Sequence, residues 1–399
     1  MQSDTRPTAV AGSLSGLIVS MLPLLLLLGL AAGARAQYGI SWPQGHLEID
    51  GRIRVGFHHR WLFPEDPDQD RNKDRIYVQQ ARLRLSGWQY SSHLRWEMQF
   101  ELRGYNGLER EPGHELDHQG VEAKDLHLSW VPNDLWTLRA GQFKVPYGRK
   151  QLVGLHEQSL VRRADLVDGF LPGRDRGLML RGRTGDRVLT GWAGVFSGNG
   201  ENLQYNDSRG GWLWVGRLQW QPFGDIGDGE GDHLGLARPL LLLGVNATSS
   251  VDRPPLDPEA LEYKRTVDGR KRLLGADASL KWLGWQLMAE VDHARFQPAV
   301  GGRYRAGGWL GQVSHCARLD ALGLKGWLLE PVLSYDEYNP SDRTADDTQR
   351  TLTTWLNLMP DGHDLKLMLD WFHRLKYRDT DRNPWKEDEI RAIVQLAIH

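Results

Sequence analysis

One stretch limits what this chain can fold into more than any other. From His93 to Leu102, the polar set His93, Arg95, Glu97, Gln99 and Glu101 interleaves strictly with Leu94, Trp96, Met98, Phe100 and Leu102. A period of two puts charges on one face of a strand and bulky apolar groups on the other. A soluble sandwich of sheets can use such a strand, and so can a membrane barrel. Similar segments recur near 47–58, 76–86, 93–104, 123–131, 135–142, 175–183, 187–197, 211–221, 238–249, 271–282, 284–296, 305–316, 325–337, 349–359, 363–375 and 388–399, which makes sixteen. The number is even, and the lengths suit tilted strands that cross a bilayer.

The links between these segments alternate in length. Short turns include Pro132-Asn133-Asp134, Thr184-Gly185-Asp186, Leu283-Gly284 and Pro360-Asp361-Gly362. Longer polar links run over 61–74, 105–122, 197–210, 250–270, 338–348 and 376–388. Short turns at one rim and long loops at the other are the pattern of an outer-membrane barrel. Two links on the short side, 222–237 and 317–324, are long for such turns and imply either a miscount or insertions. Trp130 and Trp136 bracket one tight turn and Trp282 and Trp285 another, as expected of an aromatic girdle at the headgroups. In a soluble sheet the same tryptophans would instead lie in the core.

Composition agrees with a barrel that follows an export signal. Arg6 precedes an apolar run from Met21 to Ala32, and Ala34-Arg35-Ala36 supplies small residues at a cleavage spacing. The run is too short to span a bilayer, so residues 1–36 read as a signal peptide and 37–399 as the barrel. The remaining roughly 360 residues could in principle form two soluble domains. The chain has 45 glycines, 17 tryptophans and a single cysteine, Cys316, which rules out an internal disulfide framework. A mean hydropathy of −0.50 does not argue against the membrane, because barrel strands are half polar by construction.

The stretch from Leu138 to Gly177 is a strand end followed by the longest excursion from alternation in the chain, and then a return to strand. It carries Lys144, Arg149, Lys150, Arg162, Arg163, Arg174 and Arg176 against Glu157, Asp165, Asp168 and Asp175, a local cationic excess in a chain of formal net charge −2. Loops of this length inside a compact β-protein are usually functional. The expectation is that it folds into the lumen of a membrane barrel and narrows it. On the strands, Arg82, Arg84, Arg95, Arg139, Arg181, Arg183 and Arg217 fall on the polar phase, and so do Glu97, Glu101, Asp277, Glu290, Asp292 and Asp370. Arginine can donate two bonds to one oxyanion, so a lumen of this kind can draw in anions. Paired wall charges that select nothing would follow the same phase.

Four segments resemble the phosphate-selective porin O and P family of Gram-negative outer membranes. They are ARLRLSG at 81–87, LRAGQFKVPYG at 138–148, FLPGRDRG at 170–177 and GVFSGNG at 194–200. The resemblance implies a sixteen-stranded, all-β transmembrane antiparallel barrel, usually a homotrimer, with an inward constriction loop at 143–175. It also implies passive diffusion of small anions, phosphate in the named members. Outer-membrane lipid and anionic solutes would then be the partners, with no reaction, cofactor or nucleic acid involved. The best-known phosphate channels carry an arginine pair just ahead of the first segment, where this chain has Gln79 and Gln80. A general diffusion pore with little anion preference, or a non-conducting scaffold or adhesin, remains an alternative. The chain ends Ile398-His399, whereas such barrels commonly end in an aromatic residue.

His114-Glu115-Leu116-Asp117-His118 fits the HExxH zinc-protease pattern. That chemistry requires a helix long enough to present both rings on one face, and Pro112-Gly113 before it and Gly120 after leave little room for one. A charged loop is the expectation, with no metal site.

Overall fold

The computed structural model describes residues 38–63, 73–102, 121–198, 200–202, 211–252, 269–344, 347–377 and 385–398. The HExxH stretch and the proposed signal peptide lie outside them. Numbered in chain order, the barrel strands begin with β1 (Gly45–Phe63), β2 (Lys73–Gln89), β3 (Ser91–Glu101), β4 (Glu122–Trp130) and β5 (Trp136–Lys144). Next come β6 (Arg174–Arg183), β7 (Leu189–Phe196), β8 (Leu213–Trp220), β9 (Leu240–Asp252), β10 (Gly269–Trp282) and β11 (Trp285–Pro298). The set closes with β12 (Tyr304–His315), β13 (Leu328–Asn339), β14 (Gln349–Asp361), β15 (Leu365–Tyr377) and β16 (Trp385–Ile398). A two-residue piece, Ala317–Arg318, extends β12 along β13, and a short arm, Tyr38–Trp42, folds back on the start of β1.

Each strand pairs antiparallel with its chain neighbour, and β16 pairs with β1 from Lys386↔Phe63 to Ile398↔Gly51. The sheet therefore closes into a sixteen-stranded barrel. Closure matters because a lipid phase offers no partner to an unpaired backbone amide. The burial pattern is inverted relative to a soluble protein. Along β11, Leu287 and Val291 are exposed while Gln286, Glu290 and Asp292 are buried. Trp130, Trp136, Trp220, Trp282 and Trp285 all stand exposed beside the short-turn rim, where headgroup-level rings belong.

The sixteen segments expected from alternation correspond one to one with these strands, but several run further at the long-loop rim. β1 continues to Phe63, β2 starts at Lys73 and β9 reaches Asp252. Apolar alternation stops where lipid stops, whereas the backbone ladder can zip on through solvent. The tightest turn, Leu283-Gly284, has φ of 50° and 83° and joins the facing pair Trp282↔Trp285. Two positive φ values are what a two-residue hairpin needs to match strand twist. The two over-long short-side links are insertions at 221–239 and 316–327, not a miscount.

Inside the barrel, residues 145–173 form short pieces: α1 (Arg149–Leu152), a 3-10 turn at Leu155–Glu157 and α2 (Asp165–Phe170). They sit on three apolar pads of the inner wall. Tyr147, Leu166, Val167 and Leu171 pack with Leu273, Phe296, Leu310 and Tyr338. Leu160 and Val161 pack with Tyr77, Trp355, Met368 and Ile393. Phe143 and Val145 pack with Met179, Phe196 and Val215. Each fully buried side chain of this size contributes roughly 1.5–3 kcal/mol, enough for the pads to fix a segment with so little regular structure of its own.

Candidate ion pathway

The inward segment leaves the wall at Gly148, whose φ is 64°. A β-carbon there would stand 2.4 Å from Glu290 Oε1, so only glycine makes this turn without moving the wall. The Gly148 N–H donates to Asn246 Oδ1 at 3.2 Å and the Lys150 N–H to Glu290 Oε2 at 2.8 Å. Wall carboxylates and amides thus accept the bonds that the first turn of α1 cannot make internally.

A second segment meets it from the opposite rim. The insertion at 221–239 reaches into the lumen and carries Glu230, Asp232 and His233. Lys150 Nζ donates to Glu230 Oε1 at 2.7 Å and to Gln312 Oε1 at 2.8 Å, with both charged side chains sealed from water. Glu230 Oε2 accepts from the Ser159 N–H at 3.0 Å and from Gln312 Nε2 at 2.9 Å. Arg149 Nη2 donates to the carbonyls of Gly227 at 2.6 Å and Asp228 at 3.0 Å. The Glu230 N–H donates to Glu157 O at 2.8 Å, and His363 Nε2 bonds Glu230 O at 2.9 Å. Burial pushes the Lys150 ammonium below its ordinary range against the pull of Glu230. Burial would raise Glu230, but Lys150 and Gln312 hold it below the usual carboxylate range. The two segments are joined through this buried ion pair.

The arginines and lysines singled out in the sequence fall into three environments. Several are matched by acids: Arg82 donates to Glu101 at 2.8 Å, Arg84 to Asp50 at 2.7 Å and Arg174 to both oxygens of Asp125 at 3.1 and 2.8 Å. Arg162 pairs with Asp165 and lies 4.4 Å over the Phe372 ring. Burial would raise the Asp165 carboxyl, yet Arg374 and Arg162 hold it low. Others brace the inward segments: Lys144 Nζ donates to the carbonyls of Leu152 at 2.8 Å and Val153 at 3.0 Å, and Arg149 and Lys150 bind as above. Arg163 is half-buried within the field of Lys144 and Lys150. Arg176, also half-buried, faces Gln142 in register.

The third environment is a partly accessible row across the arc from β3 to β6. Near the short-turn rim, Arg95 on β3, Arg139 on β5 and Arg183 on β6 all bring their charge to bear on Arg181 of β6. Arg95 is exposed and the other three are half-buried. Arg139 Nε donates to Ser129 Oγ at 3.1 Å, with Glu97 the first of its acidic neighbours. Arg181 Nη2 donates to Thr137 Oγ1 at 2.8 Å. The opposite arc, β10 to β13, carries Asp277, Glu290, Asp292, Glu330 and Asp336, all buried. Arg217 neutralises Asp277 through two bonds of 2.6 and 2.8 Å. The arc from β3 to β6 thus carries the partly accessible arginines, and the arc from β10 to β13, against which Tyr147, Leu166 and Leu171 pack, carries buried acids.

Three features were missed in the sequence. Arg52 and Arg54 on β1 extend the basic arc. Arg52 Nη1 bonds His156 Nδ1 at 3.0 Å, and Arg54 is fully buried with its Nη2 3.0 Å from Met368 Sδ. Their phase on β1 could have revealed them. The pairing slips between Arg54↔Gln80 and Val55↔Val78, a bulge that leaves Gln79 unopposed. As a result both Gln79 and Gln80 turn inward, and Gln79 Nε2 donates to Val161 O of the inward segment at 3.0 Å. The inward course of 221–239 also went unread; its excess length was the available signal.

A closed antiparallel barrel with apolar residues outside, polar residues inside and a folded-in loop is the architecture of an outer-membrane porin. Comparison with solved structures agrees. The anion-selective porin of Comamonas acidovorans aligns with TM-score 0.56 at 11% identity, covering 89% of this chain and 100% of that one. The outer membrane channel DcaP of Acinetobacter baumannii aligns with TM-score 0.55 at 11% identity, covering 92% and 100%. OprB of Pseudomonas putida gives 0.54 at 10%, covering 89% and 94%. Curated proteins offer no match by sequence. The model of the family "Phosphate-selective porin O and P" matches residues 47–246. The chain belongs to that family of Gram-negative outer-membrane porins, which are channels rather than enzymes.

Proposed function

We propose that this porin passes small anions by passive diffusion, with residues 143–175 as its constriction loop. The observation that carries the reading is the row Arg95, Arg139, Arg181 and Arg183: Arg183, Arg139 and Arg95 all press on Arg181 with Asp228 set against them, while Glu97 and Asp125 face Arg139. Such a row attracts an anion, and because Arg95 is exposed and the other three residues are only half-buried it also lets the anion leave. The neighbour from Comamonas acidovorans is itself described as anion-selective, which supports the same reading. Phosphate is the finer proposal. It rests on the family and on the capacity of adjacent guanidinium forks for an oxyanion, while Gln79 and Gln80 favour a less specific pore. Export through residues 1–36 and assembly as a homotrimer complete the proposal.

The test is conductance of the purified protein in a planar bilayer with phosphate as competitor. Phosphate should reduce chloride current, and Arg139→Ala with Arg181→Ala should weaken that block. Current indifferent to phosphate in the unaltered protein would leave a general pore, and no current at all would favour a scaffold.

A further inference from the structure

At the short-turn rim, the inward insertion meets the wall through groups that the ion pathway does not use. His233 on the insertion, Cys316 beyond β12 and Glu330 on β13 bring an imidazole nitrogen, a thiol sulfur and a carboxylate oxygen within 4.8 Å of one another. We propose that these three residues bind a zinc ion, which fastens the 221–239 insertion to the barrel wall.

The arrangement has the features of a built site. His233 Nε2 is buried and has no hydrogen-bond partner, although a buried ring nitrogen ordinarily finds one. Its ring is held against His363, with centroids 4.4 Å apart. Glu330 is fully buried and oriented by two donors, Ser159 Oγ to Oε1 at 2.8 Å and Asn357 Nδ2 to Oε2 at 2.8 Å. Each carboxylate oxygen retains a second lone pair for a metal, and fixed outer partners of this sort orient ligands. Gly231 keeps the space open: a β-carbon there would stand 2.7 Å from His233 Nε2 and 2.9 Å from Glu330 Oε1. Asp232 is not part of the set, because its carboxylate accepts the N–H groups of Gly284 at 2.8 Å and Leu236 at 2.9 Å.

The chemistry of the donors selects the ion. One sulfur, one imidazole nitrogen and one carboxylate oxygen suit zinc, whereas calcium and magnesium require mostly oxygen. On binding, the Cys316 thiol gives its proton to solvent and a Zn–S bond forms. Thiolate and carboxylate together then balance the 2+ charge, so the site is neutral. A fourth position remains for water or another ligand.

The experiment uses untagged, full-length protein in detergent micelles. Cobalt(II), a spectroscopic substitute, should produce a thiolate-to-metal charge-transfer band that zinc abolishes by displacement. His233→Ala should weaken zinc binding by about tenfold or more, in the range for disturbed metal shells, and Gly231→Ala should weaken it as well. Cys316 is the chain's one cysteine, so alkylation gives a second readout on the unaltered protein, independent of whether a variant folds. Zinc should slow the reaction of a maleimide with Cys316 at least tenfold. No charge-transfer band, an alkylation rate indifferent to zinc, or a band unaltered in His233→Ala would each overturn the proposal. Anion conductance measured with a chelator present tests the pore separately, so the two readings can fail independently.

Discussion

Replacing Glu230 with glutamine asks how firmly the two inward segments hold each other. Glu230 and Lys150 lie 2.7 Å apart with side-chain exposures of 0% and 1%. Glutamine preserves the volume, but it removes the charge and can turn an amide N–H toward the Lys150 ammonium. Breaking one partner of a buried pair costs about 3–5 kcal/mol, because the remaining charge is left uncompensated. At 1.36 kcal/mol per decade that is roughly two to nearly four powers of ten in the local opening equilibrium. The strand ladders do not depend on this pair, so the cost falls on the 221–239 insertion and the segment around Ser159. Amide hydrogen exchange reads it directly. The N–H groups of Ser159, which donates to Glu230, and of Gly231, which donates to Gln286, should lose protection by that factor. Amides within β11 should be unchanged. Adding Lys150→Met should recover part of the loss, since it removes the stranded charge. If Ser159 and Gly231 keep their protection to within about threefold, well under one decade, the buried pair does not join the segments.

Other consequences can be measured in the same preparations. Gly148→Ala forces an L side chain into a sparsely populated positive-φ conformation (φ 64°, ψ 132°) and against Glu290 Oε1; it should cost about 1–3 kcal/mol for the backbone alone, read as a lower urea midpoint. Gln79→Arg adds a charge beside the inward segment at the β2 bulge and should shift the zero-current potential further toward anions, with no shift counting against a pathway near Val161. His156 is held neutral by burial and then by Arg52, so its pKa lies below the unfolded value of about 6.5. The sign follows: the unfolded chain binds a proton that the folded one refuses, so stability is full above pH 6.5 and declines as pH falls below it. The urea midpoint of the unaltered protein should therefore drop between pH 7 and pH 5, and His156→Gln should flatten that drop; an equal drop in the variant would remove His156 as the cause.

Much of the fold was legible because a barrel in lipid writes its geometry into every strand. Alternation such as that of 93–102 marks inside from outside, and tight turns such as 283–284 mark one rim. Strand ends at the other rim were less legible, since Phe63 and Lys73 zip in solvent with no lipid face to mark them. The arginine phase on β3, β5 and β6 was readable in the same way, and those residues form the partly accessible row. What neutralises a charge was not readable. Lys150 reads in the sequence as part of the loop's cationic excess, but its partner Glu230 arrives from an insertion 80 residues away. Pairings of that kind depend on how two irregular segments meet, and period-two patterning carries no trace of them. The β2 bulge was similarly hidden: a strict period places Gln79 and Gln80 on opposite faces, and only the register slip turns both inward.

The central claim is that the partly accessible arginine row makes this porin prefer anions. The most direct test is the zero-current potential across a planar bilayer under a potassium chloride gradient, measured with the unaltered protein and with Arg139→Ala and Arg181→Ala combined. A potential of the sign for chloride preference, reduced toward zero in the double variant, is the predicted result. A cation-biased or null potential in the unaltered protein, or one that the double variant leaves in place, would contradict it.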